Sequence, residues 1–247
     1  VSADISTMNS ALYRTDESIL IPRVESEGAL DQIIELLCFN KIDVVMIGSE
    51  FDMEFFSENK EYIERISGVL VIVSQLETFM MADDKWLTTE FLRENRLPYA
   101  EAYLPQGYAD AERIAKKWGY PVVLKTRRGT SSRHVHIIND RAELLEHYSS
   151  IPLPMLQRVI DIPSQQLSSE FTCSVFKTAD GNMIGPFTAR RTVRGGTSWF
   201  IEIAQFKVLR TTLLEIADKI DFIGSLNVQL MLTTQGAIPF ELNARFS

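Results

Sequence analysis

Cysteine is almost absent from this chain. Cys38 and Cys173 are its two cysteines, far apart and each among apolar residues. That excludes a disulfide-stapled scaffold and reads as two small core residues of a reduced, cytoplasmic protein. Histidine is scarce too: His134, His136 and His147 have no cysteine nearby, so no zinc pattern forms. His134 and His136 read as packing residues on one strand face, and no Ser-His-Asp arrangement is suggested. No apolar run is long enough to span a bilayer, and the start lacks a signal-peptide pattern. Excess positive charge is missing as well. The formal net charge is −8, which repels phosphate backbones and argues against a nucleic-acid partner. No Gly-rich fingerprint follows a strand and no G-x-S-x-G elbow occurs, which removes support for dinucleotide binding and for a serine hydrolase.

What remains is an ordinary globular composition, 45% hydrophobic over 247 residues, enough for one large core or two smaller ones. The first third alternates strand and helix signals. "SILIP" (18–22) reads as a strand, and a helix follows from Ser26 with Leu30, Ile33, Ile34, Leu37 and Cys38 on one face. "IDVVMIG" (42–48) reads as a strand covered on both faces, "SENKEYIERI" (57–66) as a helix and "VLVIV" (69–73) as another buried strand. Repeated β-α-β with short links predicts a parallel, doubly wound arrangement. Residues 75–96 are helical with a break at "ADDK" (82–85), and "LPYAEAYLP" (97–105) suits a linker. Then come a helix capped by Asp110, a strand "YPVVLK" (120–125), a polar loop, a strand "VHII" (135–138) and a helix opened by Asp140. The last third is antiparallel in flavour: "PMLQRVI" (154–160), "EFTCSVF" (170–176), "MIGPFTARR" (183–191), a helix through Leu209–Ile220, and a hairpin of 225–232 with 237–242.

Three features carry chemistry. In the final hairpin, Asn227, Gln229 and Met231 alternate with Val228, Leu230 and Leu232, while Glu241, Asn243 and Arg245 alternate with Ile238, Phe240 and Leu242. A loop at 234–236 sets Gln229 across from Glu241 and Asn227 across from Asn243. Clustered oxygen donors suit Mg²⁺, a hard cation; a solvated edge hairpin has the same alternation. Second, Lys125 ends a buried strand and meets Gly129, Thr130, Ser131 and Ser132 among Arg127, Arg128 and Arg133. Backbone N–H groups, hydroxyls and a lysine together bind phosphates, although an exposed basic turn would look alike. Third, residues 126–139 and 181–201 each hold three arginines and no acid. Arg190, Arg191 and Arg194 could join Lys125 and Arg245 in one positive pocket, or the two stretches could be unrelated surface loops. Gly195 and Gly196 suit a moving, substrate-covering loop.

The order of these features resembles the ATP-grasp superfamily, in particular the branch of the carbamoyl-phosphate synthase large subunit and the ATP-dependent amino-acid ligases. The resemblance runs over nearly the whole chain and is most specific in "NVQLMLTTQGAIPFELNAR" (227–245). It implies an α/β (α+β) ATP-grasp fold: a parallel βαβ subdomain over 1–75, a helical linker over 76–106, a lid subdomain over 107–153 and an antiparallel C-terminal subdomain over 154–247. It also implies a missing N-terminal strand and a shortened C-terminal subdomain, so that the chain is a fragment or has unordered ends.

By the same resemblance, Lys85 and Lys125 contact ATP phosphates under the loop Gly129, Thr130, Ser131 and Ser132. Gln157, Arg158, Val159 and Ile160 form the hinge whose backbone meets adenine, and Glu170 takes the ribose hydroxyls, although "DIPSQQLSSE" (161–170) is longer than the family's usual link. Gln229, Glu241 and Asn243 hold Mg²⁺, with Mn²⁺ as a substitute. Arg245 and Lys125 are the catalytic candidates, and Arg190 and Arg194 would meet a carboxylate substrate. The implied activity is an ADP-forming ligase that activates a carboxylate as an acyl phosphate for attack by an amine. The alternatives are phosphorylation of a small acid such as bicarbonate, or an inactive ATP-binding protein. The implied partners are small molecules, with a homodimer as a permitted assembly.

Overall fold

The computed structural model describes residues 1–129, 134–161, 170–195 and 197–246. The chain divides after Leu76 into two units.

The first unit is built from parallel strand pairs and two helices. β1 (Ser2–Asp4) pairs with β2 (Ser18–Leu20), and β3 (Val44–Met46) pairs with β4 (Leu70–Ile72). α1 (Ala29–Phe39) buries Ala29, Ile33, Ile34 and Leu37, and α2 (Glu50–Ser67) buries Met53, Phe56 and Ile63. Those positions recur at helical spacing, so each helix turns one apolar stripe inward. Lys60 is buried on α2 and satisfies its ammonium by donating to the Val73 carbonyl at 2.9 Å.

Three expectations change here. α1 starts at Ala29 rather than Ser26, because Gly28 holds a left-handed conformation at its cap. Cys38 is exposed. Val44, Met46 and Leu70 are 45%, 60% and 46% exposed, so β3 and β4 are not covered on both faces. With two separate two-stranded sheets, alternate side chains on each strand find no covering layer.

The second unit begins with α3 (Leu76–Asp83) and α4 (Lys85–Glu94), interrupted at Asp84. The Asp84 carboxylate accepts from the N–H groups of Trp86 and Leu87, capping α4. A four-stranded sheet follows, called the lid sheet below because β6 and β7 fall in the expected lid, in the order β5 (Ala102–Tyr103), β8 (Pro154–Arg158), β6 (Val122–Thr126), β7 (Val135–Ile138), all antiparallel. α5 (Tyr108–Trp118) and α6 (Arg141–Tyr148) cover one face, where Val122, Leu124, Ile138 and Leu156 meet Ala111, Ile114, Ala115 and Leu144. Asp140 caps α6 as expected. Asp110 instead lies inside the first turn of α5 and accepts from the Gln106 N–H at 3.1 Å. The span 97–105 is not wholly a linker, since β5 joins the sheet edge.

The larger sheet runs β11 (Thr197–Ile203), β10 (Met183–Arg194), β9 (Glu170–Lys177), β12 (Gly224–Thr233), β13 (Gly236–Asn243), antiparallel throughout. Its apolar face, with Phe171, Cys173, Val175, Leu226, Val228, Leu230 and Leu242, packs on α7 (Lys207–Lys219) through Leu209, Leu213, Ile216 and Ala217. β11 stands in place of the expected loop: residues 197–203 pair with β10. A bulge at Phe240 changes the final strand. Leu230 pairs with Pro239 directly after Gln229 pairs with Glu241. The buried positions are therefore Ala237, Pro239 and Leu242, rather than the expected Ile238, Phe240 and Leu242.

Asp84 also ties the lid strand to α4, since Arg127 donates to both of its oxygens, at 3.1 and 2.6 Å. Asp84 is 3% exposed and Arg127 24%. Asp84→Ala should therefore cost about 3 kcal/mol, from a lost cap and a stranded guanidinium. Asp84→Asn, which keeps the cap, should cost less. Urea denaturation checks both; equal losses in the two variants would contradict the cap contribution.

Candidate active site

The expected register of the last hairpin is the observed one: Gln229 lies opposite Glu241 and Asn227 opposite Asn243. Directly opposed residues share a face, so two rows cross the sheet. One runs Ala189, Thr172, Gln229, Glu241, and the next runs Arg191, Glu170, Met231, Ile238. The bulge at Phe240 keeps Glu241 on this face while Leu242 stays in the core. Asn243 donates to the Glu241 carboxylate at 3.3 Å. Asn227 is buried and donates to Thr172 Oγ1 at 2.7 Å, so it braces the sheet beneath the site.

The lid contributes Lys125. Its strand faces alternate, so Val123 and Lys125 share a face with Met155 and Gln157, opposite the helices. Lys125 is 4% exposed, and its ammonium donates to Gln157 Oε1 at 2.6 Å. Burial, and next the charge of Lys85, push it down to about 7, while Glu241 pulls the other way. Gln157 is neutral and accepts without compensating the charge. The lid's lysine and the hairpin's carboxylate thus act on each other within one unit.

Lys85 opens α4 and donates from Nζ to the Gly129 carbonyl at 2.8 Å. The loop base is clamped further by the Lys85 N–H to the Arg127 carbonyl at 3.0 Å and by Thr126 Oγ1, which donates to the carbonyls of Arg128 and Pro152 at 2.9 and 2.7 Å. Gly129 has φ 116°, which a side chain would strain. Thr130, Ser131 and Ser132 lie outside the described residues.

On the sheet, the Arg191 guanidinium donates to Glu170 Oε1 at 2.6 and 2.9 Å and to Gln229 Oε1 at 2.7 Å. Arg190 points the opposite way, over the rings of Phe171 and Phe206 at 5.6 and 5.1 Å. Arg194 stacks over exposed Trp199 at 5.4 Å. Arg190 and Arg194 are thus not brought together with Gln229, whereas Arg191 is. Period two along "TARRTV" separates Arg190 from Arg191, but it does not say which one faces inward. Arg245 follows β13, half-buried, and donates to the Phe246 carbonyl at 3.4 Å. His136 stacks on His147 at 4.3 Å, a packing contact.

Arg158, Val159 and Ile160, three of the four residues expected to form the hinge, line a pocket of about 590 Å³ together with Tyr99, Trp118, Tyr120 and Ile238. Neither Lys125 nor Glu241 lines it, so this pocket is not the charged centre itself.

Among the described residues no three His, Cys, Asp or Glu side chains gather as a metal cluster. The hairpin instead offers one carboxylate and two amides, Glu241, Gln229 and Asn243. That donor set does not suit zinc. It fits a hard cation that completes its shell with water and phosphate oxygens.

No helix is long and apolar enough to cross a membrane, among the described residues. The chain is 25% identical to the human mitochondrial ammonia-type carbamoyl-phosphate synthase, over 76% of this chain and 13% of that protein. Among solved structures it resembles biotin carboxylase from Campylobacter jejuni in complex with β,γ-ATP, with TM-score 0.78 and 19% identity over 99% of this chain and 59% of the other. It also resembles the biotin carboxylase domain of the Hydrogenobacter thermophilus 2-oxoglutarate carboxylase in complex with MgADP, ADP and bicarbonate. There the TM-score is 0.77, with 18% identity over 100% of this chain and 58% of the other. The chain therefore spans about an eighth of that synthase and under two thirds of either carboxylase chain. The ATP-grasp domain model matches residues 82–247, more than half of the chain and nearly all of the second unit, and the chain belongs to the ATP-grasp domain family.

Proposed function

We propose that this chain binds ATP with Mg²⁺ between the lid sheet and the β12–β13 hairpin, and that it activates a carboxylate as an acyl phosphate for attack by an amine, releasing ADP. The observation that carries this is a buried lysine, Lys125, whose charge feels Glu241, the carboxylate that β13 sets opposite Gln229. A carboxylate oxygen is a poor leaving group, and phosphorylation converts it to a good one. Such transfer needs positioning and charge neutralisation more than a protein nucleophile, which agrees with a sequence that carries no G-x-S-x-G elbow or Ser-His-Asp arrangement.

In this reading Lys125 and Lys85 neutralise ATP phosphates. Gly129, whose carbonyl accepts from Lys85, would stand at the base of the phosphate-binding loop. The backbone of residues 157–160 meets adenine at the hinge, and Glu170 accepts from the ribose hydroxyls. Gln229, Glu241 and Asn243 would hold Mg²⁺, which neutralises phosphate charge when bound. Arg245, past the end of the strand, stabilises charge on the transferred group. Arg191 stands nearer to this centre than Arg190 or Arg194 and is the better-placed arginine. Phosphorylation of a small acid such as bicarbonate is the second reading. It is favoured by the similarity to a carbamoyl-phosphate synthase and to a carboxylase solved with bicarbonate.

ADP release over a panel of acids, with and without amines, separates the two: dependence on an amine supports the ligase, and release with bicarbonate alone supports the second. Glu241→Ala should lower ADP release at least about a hundredfold, because it removes the only carboxylate of the donor set. Unchanged release would sink the assignment of the hairpin.

The position of Lys125 predicts a pH effect. Its ammonium sits low, at about 7, without nucleotide, and a bound phosphate raises it. Binding therefore takes up a proton above neutrality, and nucleotide affinity should fall up to about tenfold per pH unit between about pH 7.5 and 9. Fluorescent-nucleotide titrations measure this, and Lys125→Met should flatten the slope. An equal slope in that variant would place the titration elsewhere.

A further inference from the structure

Arg191 makes contacts that the ligase mechanism above does not use. Its guanidinium holds Glu170 through Nε and Nη2 and holds Gln229 through Nη2. The arginine side chain is 15% exposed and Glu170 22%, so water does little to replace these contacts. β10 and β9 supply the geometry, because Arg191 is the cross-strand partner of Glu170. Gln229 stands on the neighbouring strand β12, opposite Thr172 and one position along the same face from Met231.

The oxygen of Gln229 that accepts from Arg191 is also the only atom of that side chain able to ligate a hard cation. Any cation on that oxygen shares it with a guanidinium nitrogen 2.7 Å away. Two positive charges on one acceptor repel. At the other end of the same guanidinium, Glu170 is oriented and its charge is offset. One side chain therefore has opposite effects on two halves of a nucleotide site. It orders the carboxylate that would meet the ribose, and it opposes the cation that would meet the phosphates.

We propose that Arg191 is a positioning residue that couples ribose recognition to metal binding, holding Glu170 ready while it competes with the metal for the Gln229 oxygen. This rests on the ATP-site reading above. It accounts for an amide at Gln229: the oxygen can leave the guanidinium without breaking an ion pair, whereas a carboxylate there would be held more tightly by the same arginine.

The test uses the whole chain and two binding measurements, neither of them turnover. ADP affinity is measured in EDTA, and Mn²⁺ affinity by electron paramagnetic resonance at saturating ADP. Arg191→Met should weaken metal-free ADP binding about tenfold, as a charged hydrogen-bond network is lost. It should also tighten Mn²⁺ binding about fivefold, as a nearby positive charge is removed. A purely structural role would weaken both. Arg191→Lys keeps the charge without the fork, so it should weaken ADP while leaving Mn²⁺ affinity near that of the unaltered protein. Its retained charge also makes it the variant to use if Arg191→Met does not fold. Parallel weakening of ADP and Mn²⁺, or no change in either, would overturn the coupling while leaving the ATP site standing. Absence of ADP binding by the unaltered protein would overturn both.

Discussion

Lys125 is buried beside a neutral amide, and the site is arranged around that placement. A lysine at the end of a covered strand normally finds a carboxylate or reaches water. Here it finds Gln157 on the next strand at 2.6 Å, with Lys85 adding repulsion and Glu241 partial relief. The charge is therefore incompletely matched within the protein, and a phosphate is the kind of group that would complete it. The lid sheet makes this possible by turning Val122, Leu124 and Leu156 onto its helices, leaving Val123, Lys125 and Gln157 on the other face.

The larger sheet solves the complementary problem. Its core face needs an unbroken apolar surface for α7, and its other face needs Glu241 beside Gln229. A strictly alternating β13 would serve both only if Phe240 were a core residue. The bulge at Phe240 removes that requirement: Pro239 and Leu242 stay in the core, and Glu241 remains opposite Gln229. Asp84 links the two parts by capping α4 and gripping Arg127, so the loop base and Lys85 are held by one buried carboxylate.

Much of this was legible in the sequence, for local reasons. The hairpin register followed from counting outward from "TTQG", and Lys125 at the end of a buried strand followed from "YPVVLK". The break between α3 and α4 showed in "ADDK". What stayed hidden depends on non-local partners. The bulge at Phe240 does have a mark, Pro239 beside it, but a proline in a strand signals an edge as readily as a bulge. β11 was disguised because "SWFI" lacks alternation and follows a Gly pair. Arg190 and Arg191 are neighbours, and only the pairing of β10 with β9 decides which one meets Glu170. The bond from Lys125 to Gln157 joins residues 32 apart in sequence. Cys38 shows the reverse error, since an apolar neighbourhood in sequence was not burial in space.

The central claim is that the lysine of the lid and the polar edge of the hairpin enclose one nucleotide and its cation. Crystals grown with ADP and Mn²⁺, with data collected at the manganese absorption edge, test it directly. The account predicts an anomalous peak ligated by Glu241 and Gln229, with a phosphate of the same ADP against Lys125. Nucleotide bound away from Lys125, or manganese away from the β12–β13 hairpin, would contradict it.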